Sequence, residues 1–329
     1  MQTDPPAGGE PAHPPLLAGP LGFGCSALVG GRTRREALRL LAAAADAGVR
    51  HIDVARVYGT GDAEGVVGAF ARGRREQLTI ATKFGIDPLQ RSPLTDLAKR
   101  TVRLATRRSR RLLGMARRHA GHTVSRGDFS VEKARASIRT SLAEMGLEWV
   151  DAYLLHDCTA ADWTDAQLQA VLAELLDAGL VRAFGTATSR AATSEILARG
   201  PVAAVAQFDS STAAPGPLVD MRATGSLTVT FAPISGSLPL LLERVAQSPD
   251  VASSWSGELA LDASDADTLA DLLLADALAA NEGGVVLFSS GRERRIERSA
   301  AIATDAPFGA DQLRRFRELV AALVLAHGQ

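Results

Sequence analysis

Cysteine is almost absent from this chain of 329 residues, with only Cys25 and Cys158 present. Two thiols cannot build a disulfide framework, and they read as reduced groups in a cytoplasmic protein. Neither sign of charge is in excess, with 36 basic against 37 acidic side chains, which excludes a dedicated nucleic-acid binder. No apolar run approaches the roughly 18 residues a membrane span needs. The opening MQTDPPAGGEPAHPPLLAGP lacks a basic segment followed by an apolar stretch, so neither a secretory signal nor a membrane partner is expected. Aromatics are scarce at 5%, and tyrosine occurs only at positions 58 and 153.

What the chain has is apolar residues, 46% of the total, in a repeating arrangement. Residues 1–16 are rich in proline and read as a flexible lead-in, leaving 17–329 as one domain. Short apolar runs then alternate with longer segments of helical period. The runs are 21–25, 51–55, 78–82, 150–156, 181–186, 202–208, 227–232 and 285–290. Most are apolar at both parities, as strands buried on both faces are. A Thr33–Glu36 capping box opens a helix that Gly48 stops, and Thr164–Gln167 suggests a second box before a helix ended by Gly179. Further helices are predicted at 62–73, 130–146, 265–280, 292–303 and 310–326. Eight strands alternating with helices predict an α/β fold, a (β/α)8 TIM barrel. A doubly wound sheet is the competing architecture, but no G-x-G-x-x-G follows the first strand.

One stretch breaks the rhythm. Residues 88–127 hold ten arginines and Lys99 against the single acid Asp96. This long basic insertion after strand 3, with Leu97, Leu104, Leu112 and Met115 at helical spacing, reads as a solvated excursion on the barrel rim. The competing reading is a lid that attracts anionic groups of a substrate or cofactor.

Catalytic side chains of such barrels lie at the C-terminal ends of strands. In order, those ends carry Asp53 and Tyr58, then Lys83, then His156. A phenol titrates near 10, so using it as an acid or base calls for a neighbouring ammonium, which a carboxylate can hold in place. An imidazole beside them polarises a carbonyl oxygen. Each residue also has an ordinary use: Asp53 as a turn cap, His156 as a satisfied core histidine, and Lys83 as a surface lysine or a Schiff-base nucleophile. Four such residues at successive strand ends are more specific than any one alone.

HIDVARVYG (51–59), with Glu64 and Gly68 following, resembles the D-T-A-x-x-Y-G and E-x-x-x-G segments of the aldo-keto reductase superfamily. ATKFG (81–85), DAYLLHD (151–157) and LGFGCS (21–26, including Gly24 and Cys25) are similar to its lysine, histidine and opening segments. The resemblance runs from about Leu17 to about Ala303. It implies NAD(P)H-dependent reduction of an aldehyde or ketone to an alcohol. Tyr58 would be the general acid, Lys83 would lower its pKa, Asp53 would anchor Lys83, and His156 would orient the carbonyl. It also implies a cofactor extended across the barrel mouth. Gln207 would hold the carboxamide, and Phe231, followed by Pro233, would stack on the nicotinamide. Ser289, Ser290, Arg292 and Arg295, with Arg294, would meet the phosphates and favour NADPH over NADH.

The chain also departs from the family pattern. Ala187–Thr188 replaces a Ser–Asn pair, leaving one hydroxyl at Thr188, and Arg298–Ser299 replaces a Glu–Asn pair. These departures motivate an alternative reading, a non-catalytic or regulatory nicotinamide-binding protein on the same scaffold. The expected partner is a small-molecule carbonyl substrate, anionic if the insertion attracts it; many family members are monomeric.

Overall fold

The computed structural model describes residues 19–29, 32–88, 127–218 and 225–327. Eight strands, β1 (Leu21–Gly24), β2 (His51–Asp53), β3 (Thr79–Phe84), β4 (Val150–His156), β5 (Val181–Thr188), β6 (Val205–Asp209), β7 (Leu227–Phe231) and β8 (Val285–Phe288), pair in chain order. Every pairing is parallel, and β8 closes on β1 with Leu21 opposite Val286. The predicted eight-stranded barrel surrounded by helices is the observed fold. The basic insertion and the N-terminal tail lie almost wholly outside the described residues.

Alternation along each strand divides the core in two. Ala81, Ala152, Leu154, Ala183, Ala187, Val205, Val229, Val285 and Leu287 form a cluster of their own on the inner face. A larger cluster fills the layer between sheet and helices. The inner set is small, and glycine makes room where even alanine would not fit. A Cβ on Gly185 would stand 1.8 Å from the Val205 carbonyl oxygen, and one on Gly22 would stand 2.9 Å from the His51 ring.

The helices among the described residues are α1 (Arg34–Asp46), α2 (Ala63–Ala71), α3 (Val131–Met145), α4 (Ala160–Trp163), α5 (Ala166–Asp177), α6 (Arg190–Arg199), α7 (Leu238–Gln247), α8 (Pro249–Leu259), α9 (Ala266–Ala280), α10 (Glu293–Asp305) and α11 (Ala310–His327). The Thr33–Glu36 capping box forms as expected. The Thr164–Gln167 box does not. Instead Thr159 and Asp162 close a box on α4, Thr164 caps the C-terminus of that helix, and Asp165 accepts from Leu168 N to start α5. A short helix upstream had already used Thr164. Helices α6, α7 and α8 were not expected, because the apolar residues of α6 are sparse and α7 and α8 start at Ser-Leu-Pro and Ser-Pro rather than at a capping box. α2 packs on α3 without a spacer: a Cβ on Gly68 would stand 1.9 Å from the Met145 carbonyl oxygen.

Among the described residues, no helix is long and apolar enough to cross a membrane, and no group of three or more metal-ligating side chains converges.

Candidate active site

Asp53 ends β2, Lys83 lies near the end of β3, and His156 ends β4, so parallel pairing brings three side chains from successive strands to one rim. Tyr58 arrives from the loop after β2. That loop turns tightly, with Tyr58 N donating to Ala55 O, and continues into the 3-10 segment Tyr58–Gly61. Gly59 is required there. Its φ is +59°, and a Cβ would stand 1.9 Å from a Val29 methyl.

The four residues meet as their order predicted. Lys83 Nζ donates to Asp53 Oδ2 at 2.6 Å and to the Val54 carbonyl oxygen at 3.1 Å. The lysine is 1% exposed and the aspartate 2%, so this ion pair is fully enclosed. The same Nζ lies 4.9 Å from the centre of the Tyr58 ring, and the Tyr58 and His156 rings meet edge to face at 5.9 Å. This is a directional cluster, a buried ion pair beneath two half-buried rings, rather than a set of independent caps.

Burial dominates the proton affinities. It pushes the Tyr58 phenol above its ordinary value, while the Lys83 ammonium pulls in the opposite direction. The net shift is upward, against the lowered pKa expected from the sequence, because desolvating a phenolate outweighs one neighbouring cation. Burial works against the charge on Lys83, but Asp53 and Tyr58 together hold its pKa above the usual lysine value. An ammonium so held is a poor nucleophile, which disfavours the Schiff-base reading of Lys83. His156 is pushed down to about 3 by burial and then by Lys83, leaving a neutral imidazole. Cys25 is fully buried near the same cluster, and burial raises its pKa far enough to keep it a thiol.

The remaining residues named from the sequence fall around the same mouth with different prior engagements. Gln207 is 3% exposed, and its Oε1 has no hydrogen-bond partner in the protein. Phe231 and Pro233 flank Ala232, whose φ of +61° bends the chain sharply at the end of β7. Gly24 leaves space that the Ser289 hydroxyl occupies, donating to the Gly24 carbonyl oxygen. Ser290 Oγ accepts from Arg292 N, shaping the entry to α10. The Thr188 hydroxyl donates to Cys158 O at 3.0 Å. Arg292 and Arg294 are exposed at the start of α10, whereas Arg295 is held by Asp267 and Asp271 of α9. Arg298 also pairs with Asp271. Sequence reasoning had no sight of these pairings, because Asp267 and Asp271 lie 28 and 24 positions before Arg295 in another helix. Asp157, the last residue of the histidine segment read from the sequence, has a φ of +63° immediately after His156.

The partnerless Gln207 oxygen, free to accept from a carboxamide, and the Phe231 ring at the end of the neighbouring strand fit what a nicotinamide would need. The phosphate end fits less completely, since one of the three arginines expected there is already paired.

A profile of the Aldo/keto reductase family matches residues 20–211, more than half of the chain. The chain belongs to this family. A 6-dehydroglucose reductase of Novosphingobium aromaticivorans is 29% identical over 193 residues, covering 55% of this chain and 51% of that protein. A D-threo-aldose 1-dehydrogenase of a Pseudomonas species is 33% identical over 153 residues, covering 46% and 43%. The chain spans about half the length of the curated relatives it matches. Among solved structures, an aldo-keto reductase of Bacillus halodurans in its holo form superposes with a TM-score of 0.66 at 20% identity, covering 93% and 92% of the two chains. A glycerol dehydrogenase of Gluconobacter oxydans gives 0.65 at 14% identity with the same coverage. At those identities the superpositions speak for the fold.

Proposed function

We propose that the chain reduces an aldehyde or ketone to an alcohol, or runs the reverse oxidation, with a nicotinamide dinucleotide as redox partner. The observation that carries this reading is the enclosed Asp53–Lys83 pair set against the Tyr58 ring, with neutral His156 at the ring's edge. When bound, the cofactor supplies or accepts the hydride. The protein's share is to move one proton and hold one oxygen. Tyr58, protonated at neutral pH, donates its phenolic proton to the carbonyl oxygen as that oxygen gains charge. The Lys83 ammonium stabilises the phenolate left behind, and Asp53 keeps the ammonium in place. His156, neutral, donates a hydrogen bond to the same oxygen and sets its direction.

Gln207 would hold the carboxamide, Phe231 would cover the nicotinamide face, with Gly24, Cys25, Thr188 and Pro233 around it, and Ser289, Ser290 and Arg292 would meet the phosphates. Arg295 would join them only by leaving its two carboxylates, so the preference for NADPH rests mainly on Arg292 and Arg294. Two sugar oxidoreductases among the relatives support a hydroxylated carbonyl compound as substrate.

The test is a fluorescence titration with NADPH and, in parallel, NADH. Saturable binding that weakens in Gln207→Ala supports the reading. Binding of neither nucleotide would refute it and leave a scaffold without redox chemistry.

A further inference from the structure

On the outer face of the sheet, directly behind the candidate site, lies a second buried polar cluster that the proton-transfer scheme does not use. Thr82 immediately precedes Lys83 and faces the opposite side of β3. Its hydroxyl donates to Glu64 Oε1 at 2.6 Å, joining α2 to the lysine strand. Glu64 is 1% exposed, and its other oxygen, Oε2, has no hydrogen-bond partner. Burial raises the Glu64 pKa above its ordinary value, while the Thr82 and Ser141 hydroxyls and then the charge of Arg56, on the turn that delivers Tyr58 two residues later, pull the other way. Arg56 Nε and Nη1 are likewise buried without hydrogen-bond partners. The Ser141 hydroxyl of α3 borders the same carboxylate.

Burying polar groups with unmatched hydrogen-bonding capacity is costly for a purely structural contact, which apolar side chains would serve better. Their placement supplies a reason, since Thr82 precedes Lys83 on β3, Glu64 lies in the first turn of α2 just after the Tyr58–Gly61 segment, and Arg56 stands two residues before Tyr58. We propose that Arg56, Glu64 and Thr82 are positioning residues that fix the Tyr58 phenol in register with the Lys83 ammonium. They touch neither substrate nor cofactor and act through the backbone on both sides of the reacting pair.

The charged and titratable groups around each member are few. Arg56 acts electrostatically on Glu64 and the Tyr153 phenol and lies 3.8 Å from Asp87, which in turn pairs with Lys133. Glu64 meets Arg56 and Glu144. Tyr58 itself meets Lys83, Asp53, Cys25 and His156, but neither Arg56 nor Glu64.

The consequence for Tyr58 rests on its role as proton donor, yet the test needs neither cofactor nor substrate. The chain has only two tyrosines, so Tyr153→Phe leaves Tyr58 as the sole phenol. In that background the tyrosinate absorbance is titrated for Arg56→Gln, Glu64→Gln and Thr82→Val. Positioning predicts that all three raise the midpoint, by about one pH unit, because each loosens Tyr58 from Lys83. A through-space field predicts opposite signs for Arg56→Gln and Glu64→Gln and no shift for Thr82→Val. A merely structural cluster predicts no shift in any. Either of the last two results overturns the proposal.

If Glu64→Gln does not fold, the isosteric Thr82→Val decides. If alkaline unfolding precedes the titration, the ring-current shift of the Lys83 ε-methylene signals at neutral pH replaces it. Loss of that shift in the variants supports the proposal, and its persistence overturns it. Absence of turnover in the parent chain would instead overturn the carbonyl-reductase reading and leave the titration result standing.

Discussion

At the scale of single residues, the same enclosure that prepares Tyr58 and Lys83 for proton transfer makes them expensive. Lys83→Met leaves the Asp53 carboxylate buried without its cation, a defect of about 3–5 kcal/mol. Urea unfolding of Lys83→Met should show a loss of that size. A midpoint equal to that of the parent would mean that Asp53 had found another partner or taken up a proton. Asp53, Tyr58, Lys83 and His156 were all legible from the sequence, because strand ends in a parallel barrel converge whatever the side chains do. What was not legible was the environment. The net upward shift of Tyr58 follows from burial, and burial is a property of the assembled mouth rather than of the motif. Arg295 likewise reads as a free phosphate ligand until α9 places Asp267 and Asp271 against it.

At the scale of elements, all eight strands were legible, to within three residues at each end, since runs apolar at both parities have few other uses. Helix α1 was legible because an apolar stripe and a cap coincide there, whereas α6 and α7, each with only one of the two, were not expected. Close packing of helices leaves a subtler mark in glycine. Gly68 lets α2 lie against the Met145 carbonyl, so Gly68→Ala should destabilise by about 3 kcal/mol as two backbones are forced apart. Gly257, in α8, has no atom within 4 Å of its missing Cβ, so Gly257→Ala should stabilise by up to about 1 kcal/mol. Chemical denaturation of the two variants side by side checks both signs. Equal midpoints would mean that the α2–α3 contact yields without cost.

At the scale of the whole molecule, the buried His51 and the half-buried His156 tie stability to pH. His51 is pushed down to about 4 and His156 to about 3, in both cases first by burial. In the unfolded chain each takes up a proton near pH 6.5, and in the folded chain neither does until far lower. The unfolded state therefore binds more protons below pH 6.5, and their contribution to stability is full above that value and declines as pH falls toward 4 and 3. Each histidine adds a slope of at most about 1.4 kcal/mol per pH unit. Thermal unfolding between pH 7 and pH 4.5 should show a falling midpoint that His51→Phe makes shallower. A slope unchanged by that substitution would place the acid sensitivity elsewhere.

The central claim is that the enclosed Tyr58 phenol delivers the proton in carbonyl reduction. Its most direct test is oxidation of NADPH by a panel of hydroxylated aldehydes and ketones, comparing the parent chain with Tyr58→Phe while nucleotide binding is followed by fluorescence. The account predicts turnover in the parent, a loss of at least about a hundredfold in the variant, and unchanged nucleotide affinity. A variant that binds nucleotide and turns over as fast as the parent would contradict it.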